Sequence, residues 1–162
     1  MSSLRTRILI ISSATVIGAL ALSGAATTYT ITNTSFSING DAGFKATSSG
    51  AATPTTDGNT GAAITLTANK ARAVVWGVNA SGTVSVYAGP IVDWTDTTAN
   101  STVCPLPAIP STVAPFAAHT VQAGSTTSGT WTFGSSNWNA TGIASITVRN
   151  LCQLRNQPLL TT

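Results

Sequence analysis

Ala71-Arg72-Ala73-Val74-Val75-Trp76-Gly77-Val78, Asn79-Ala80-Ser81-Gly82 and Thr83-Val84-Ser85-Val86-Tyr87-Ala88 follow one another in the chain, and their reading decides the fold. The first run is largely apolar in its second half, as expected of a strand covered on both faces. The third alternates with period two and is rich in β-branched and aromatic residues. Between them lies a four-residue turn whose final glycine can take positive φ. The three pieces together spell a β-hairpin with a central first arm.

Working towards the N-terminus, Ile64-Thr65-Leu66-Thr67 alternates and Asn69-Lys70 breaks the pattern. Residues 48–61 are Ser, Gly, Ala, Thr and Pro with an Asp-Gly pair and no periodicity, which reads as a surface loop. Over residues 27–39, Tyr29 and Ile31 face one way against Thr28, Thr30 and Thr32, and the pattern restarts at Phe36 and Ile38. Asn39-Gly40-Asp41 is a tight-turn signal, and Phe44-Lys45-Ala46-Thr47 is the expected returning strand.

Towards the C-terminus, residues 89–102 are polar. Four prolines (Pro105, Pro107, Pro110 and Pro115) then exclude a helix and a central strand, leaving an extended connector. Residues 116–123, Trp131-Thr132-Phe133 and residues 143–151 read as strands, and residues 135–142 as a loop carrying Trp138. About eight short strands with regular turn signals predict an all-β fold: an antiparallel β-sandwich or a jelly-roll-like barrel. The expected organisation is an apolar arm over residues 1–26, the sandwich over 27–152 and a tail over 153–162. No fixed-period repeat is visible.

Composition narrows the function classes. Only 7% of the 162 residues are charged, against about 25% in an average domain, so a helical bundle or coiled coil lacks its raw material. The chain has four Asp and no Glu, which leaves few acids for paired-carboxylate hydrolysis. Disorder does not fit a chain that is 43% apolar. Small and hydroxyl residues (29 Thr, 18 Ser, 24 Ala) supply much of what remains, the texture of a β-rich structural or binding protein.

The net charge of +3 comes from scattered basic residues, without the clustered patch that nucleic acid requires. Lys70 and Arg72 share a strand face and read as a solvated edge in preference to a phosphate site. Asp93-Trp94-Thr95-Asp96 holds two carboxylates but too few ligands to close a calcium shell. His119 is the one histidine, set in an apolar alternating segment. With no Gly-x-Ser-x-Gly elbow beside it, no enzyme is expected. Neither cofactor, metal nor small-molecule substrate is expected. The Asn-x-Ser/Thr triplets at Asn33, Asn79, Asn100 and Asn139 are no more than this composition produces by chance.

Cys104 and Cys152 lack metal spacing. They could form one disulfide in an oxidising compartment, or stay as two buried thiols. Trp76 is mid-strand and reads as core. Trp94 and Trp138 sit in polar loops, where either the same chain or a neighbouring subunit covers them; sugar stacking is the lesser alternative.

The N-terminus carries Arg5 and Arg7, an apolar run (Ile8, Leu9, Ile10, Ile11, Val16, Ile17, Leu20, Leu22) and then Ser23-Gly24-Ala25-Ala26. That is the outline of a secretory signal. Ser12, Ser13, Thr15 and Ser23 dilute it as a membrane span, and its β-branched residues suit strands. The expectation is a retained segment packed against other protein. At about 25 cal/mol per Å2 of apolar surface, leaving these side chains in water would cost many kcal/mol, so association is expected. These eight residues, with Trp94 and Trp138, form the candidate interface.

Three pieces carry a resemblance. They are the strand pair around Phe36-Ser37-Ile38 and Phe44-Lys45-Ala46, the 74–84 hairpin, and the run from Pro105-Leu106-Pro107-Ala108-Ile109-Pro110 through Ala114-Pro115-Phe116 and Trp131-Thr132-Phe133-Gly134 to Asn139-Ala140-Thr141-Gly142-Ile143. Together, over roughly residues 30–152, they resemble small tailed-bacteriophage virion proteins that decorate the capsid or form short head fibres. The resemblance implies a non-enzymatic β-rich subunit on the virion capsid surface. Its implied partners are its own copies, as a homo-oligomer such as a trimer, and a major capsid protein. The competing expectation is a secreted, extracellular β-sandwich that binds a carbohydrate or cell-surface ligand, or a filament subunit whose apolar N-terminal strand completes a neighbour's sheet.

Overall fold

The structure is a computed structural model and describes residues 13–16, 20–22, 28–94 and 104–150. Every element in it is a strand, and every ladder between strands is antiparallel. The fold is all-β, as the sequence predicts.

The expected hairpin is the centre. β8 (Lys70–Asn79) pairs on one side with β9 (Val84–Ala88) and, nearer its start, with β10 (Val92–Asp93). On the other side it pairs along almost its whole length with β11 (Val113–Ala123), which pairs in turn with β13 (Ile143–Asn150). The apolar second half of β8 is buried on both faces. Val74, Trp76 and Val78 face the main core. On the opposite face, Val75 lies beside Tyr87 of β9, both buried.

The second layer is a three-stranded bent ribbon. β3 (Thr28–Ile31) and β4 (Thr34–Ile38) form its middle line. β1 (Ser13–Val16) pairs with β4, and β2 (Leu20–Leu22) with β3, on one side. β5 (Asp41–Lys45) and β6 (Ser48–Ala52) take the other side. The period-two pattern survives intact: Tyr29, Ile31, Phe36 and Ile38 are buried and join the core with Trp76, Val78 and Phe116. Tyr29 meets Trp76 with ring centroids 5.1 Å apart, so the two layers make a sandwich. The β4–β5 turn is the one expected: Asn39 (φ 52°) and Gly40 (φ 96°) both take the left-handed conformation that a two-residue hairpin needs. A last pair, β7 (Thr65–Thr67) with β12 (Thr130–Thr132), adds Leu66 and Trp131 to the same core.

Three local expectations change. Residues 48–52, read as loop, form β6. Ser-Ser-Gly-Ala-Ala shows no alternation because this edge strand is held by its backbone ladder to β3, with little side-chain burial. Pro115 lies inside β11, a central strand. The ladder to β13 begins only at Ala117, and the register to β8 slips between Pro115 and Ala117, so proline stands at a bulge with one neighbour, where its missing N–H costs least. Residues 13–16 and 20–22, placed in a separate arm, are strands of the ribbon. Leu20 and Leu22 pack half-buried against the core.

Candidate functional site

Side chains that could carry chemistry fall into two places, one in the core and one on the surface. In the core, β3, β8, β11, β12 and the segment after β12 bring six rings together: Tyr29, Trp76, His119, Trp131, Phe133 and Trp138. His119 is 1% exposed. Its Nδ1 accepts a hydrogen bond of 3.1 Å from Trp76 Nε1–H, which puts the imidazole proton on Nε2. Burial lowers its pKa to about 4. This neutral imidazole is packed between Trp76 and Trp138 and is closed to a substrate.

The surface place lies where β8 meets the chain after β9. Arg72 is half-buried. Its Nε–H and Nη2–H both donate to the Gly89 carbonyl, at 3.1 and 2.7 Å, and Nη1–H reaches Thr65 O at 3.5 Å. Burial lowers the Arg72 pKa, opposed by the negative charge of Asp57. Asp57 belongs to the 53–63 segment, which folds over β9 through Gly58 N–H to Val86 O at 2.8 Å. Burial pushes the Asp57 carboxyl up. Hydrogen bonds from the Thr60 hydroxyl (2.7 Å) and from the amides of Ala88, Asn59 and Thr60 more than offset this and hold it below its ordinary value. A half-open cavity of about 410 Å3 spans Asp57, Arg72 and Ile91. Gly89 is required beside it: a Cβ there would sit 2.3 Å from the Pro105 carbonyl oxygen. Two apolar side chains flank that contact in the open, Ile91 (50% exposed) and Leu106 (61%).

The candidate interface divides. Ile8, Leu9, Ile10, Ile11 and Ile17 lie outside the described residues, and Val16 is the last residue of β1. Leu20 and Leu22 are packed on their own chain. Of the two covers expected for Trp94 and Trp138, the same chain supplies it: they are 3% and 7% exposed, which takes them out of the candidate interface and leaves no face for sugar stacking. Trp138 is enclosed by Phe133, Trp131 and His119. The Trp94 amide bonds Asn69 O at 2.9 Å, which folds the strand end back over β8. Cys104 is a half-buried free thiol whose pKa burial raises; Cys152 lies outside the described residues, and the disulfide expectation with it. Of the Lys70–Arg72 edge, Lys70 is solvated as expected and Arg72 is not. Lys70 makes an ion pair with Asp93 across the β8–β10 ladder, while Arg72 is held by Gly89. Asp96 lies outside the described residues.

Sequence reasoning missed the Asp57–Arg72 cavity. Its signals were an Asp-Gly-Asn-Thr-Gly turn inside a stretch read as featureless, and a lone arginine on an otherwise apolar strand. It also passed over Phe44, which stands 60% exposed on β5. Among the described residues, no group of three or more His, Cys, Asp or Glu could hold a metal ion, and no helix is long and apolar enough to cross a membrane. Comparison with family models, with curated proteins and with solved structures finds no match.

Proposed function

We propose that this chain is a structural subunit that works by contact: a virion protein that sits on a capsid surface, alongside copies of itself, and decorates or stabilises it. One observation carries this reading. The N-terminal segment supplies β1 and β2, which pair with β4 and β3 and so belong to the sandwich. A chain shortened at Ala25–Ala26, as a cleaved signal would leave it, loses both strands and opens the edge beside Tyr29, Ile31 and Phe36. A retained segment is therefore favoured, and with it the apolar run 8–11 that the sequence reading assigns to a subunit contact. The one histidine supports the same reading: His119 is shut in the core, bonded to Trp76. Burial of Trp94 and Trp138 removes the stacking surface on which the secreted carbohydrate-binding alternative was built.

Intact-mass spectrometry of the natural protein, taken from purified particles and from the surrounding medium, tests this. The expected result is particle-bound protein with residues 2–26 in place. Free protein lacking about 25 N-terminal residues would overturn it in favour of the secreted reading.

A further inference from the structure

We propose that the cavity between Asp57 and Arg72 is a binding site for a neutral, hydroxyl-rich ligand of monosaccharide size, a role that goes beyond subunit contact. The argument rests on how the two charged groups are held and on what lies around them. A guanidinium has five N–H donors in a rigid fork. Among the described residues, Arg72 uses three of them on the carbonyls of Gly89 and Thr65. Two donors therefore remain, on a side chain fixed from both ends of the fork.

Asp57 is close enough for its charge to act on Arg72, and its own oxygens are held by the donors of Thr60, Asn59 and Ala88. The site is thus electrically balanced, with one positive and one negative charge. An anion would meet the Asp57 carboxylate and a cation would meet the guanidinium, and both would pay for it in repulsion. A neutral ligand with acceptor and donor oxygens side by side meets neither penalty. The hydroxyl of Thr65 lines the same cavity and can donate or accept, while that of Thr60 is given to Asp57.

The remaining wall is apolar, with Ile64 at the base and Pro90 and Ile91 at the rim. This is the surface that the C–H face of a pyranose covers. The volume, about 410 Å3, falls in the range of small-molecule sites. Both polar anchors are set in place before any ligand arrives, so little ordering is needed on binding.

The test is an amide and arginine side-chain NMR titration of the full chain with D-glucose, D-galactose and D-mannose, each against its own charged counterparts: D-glucuronate and D-glucosamine, D-galacturonate and D-galactosamine, D-mannuronate and D-mannosamine. At least one neutral sugar is expected to bind in the range of about 1–10 mM, with shifts confined to residues 57–65, Arg72 and 88–91. The charged counterpart of that sugar should bind more weakly. Ile91→Ala, at an exposed position that leaves the fold alone, should weaken binding about threefold, and Arg72→Lys about tenfold. If Arg72→Lys unfolds, Ile91→Ala carries the test. The proposal is overturned if no neutral sugar shifts these residues, if a charged counterpart binds more tightly than its neutral sugar, or if Ile91→Ala leaves the affinity unchanged.

Discussion

Burial keeps the His119 imidazole neutral down to about pH 4, against 6.5 in an open chain, and this makes the core acid-sensitive. Above pH 6.5 the ring is neutral in both states and contributes nothing to the pH dependence. Between 6.5 and 4 the unfolded chain takes up a proton that the folded chain refuses, so stability falls as pH falls, by about 3 kcal/mol at the lower end. Urea unfolding at pH 7, 5.5 and 4 should show this slope. His119→Phe keeps an aromatic ring but gives Trp76 Nε1–H no acceptor. It should lower stability at pH 7 by about 1–3 kcal/mol and flatten the slope between pH 6.5 and 4. An unchanged slope would mean that another group titrates. Gly89 sets a second residue-scale limit. The Pro105 carbonyl is backbone and cannot swing away from a new methyl group, so Gly89→Ala should lower stability by about 1–3 kcal/mol, read as a drop in thermal midpoint.

Among the strands, the Asn39-Gly40 turn joins β4 to β5 with both residues at positive φ. Gly40→Ala should cost about 1 kcal/mol, measured by chemical denaturation. The ribbon's other edge is made by β1 and β2. A chain starting at Ala26 should melt at least about 5 °C lower and scatter light at concentrations where the full chain stays clear, because β3 and β4 would then present an unpaired edge. Equal thermal midpoints would show that these strands add nothing to the sandwich. Elements of this size also show what the sequence could convey. β3 and β4 were legible because period-two side chains match one buried face, and β8 because its apolar run matches burial on both faces. β6 was not, because its hydrogen bonds do the work and its side chains are small. The Asp57–Arg72 cavity was not legible either, since 15 positions separate its two charges in sequence and a loop fold brings them together. For Trp94 and Trp138 the residue types were informative but not their cover. A tryptophan in a polar loop is buried by whatever long-range contact the fold supplies, here the rings of His119, Trp131 and Phe133 for Trp138.

At the scale of the whole molecule, the described residues make a sandwich that leaves Phe44, Ile91 and Leu106 uncovered. The apolar run 8–11 lies just ahead of β1 in sequence. A protein built this way, acting as a subunit, should associate through Phe44, Ile91 and Leu106. Replacing Phe44 and Leu106 with serine should weaken association without lowering the thermal midpoint, since neither side chain is buried. Sedimentation velocity on the full chain with residues 1–26 attached, run from about 1 to 100 µM, tests the claim most directly. The account predicts a discrete oligomer that dissociates only at the dilute end. A single 162-residue protomer that stays soluble and monodisperse at every concentration would contradict it.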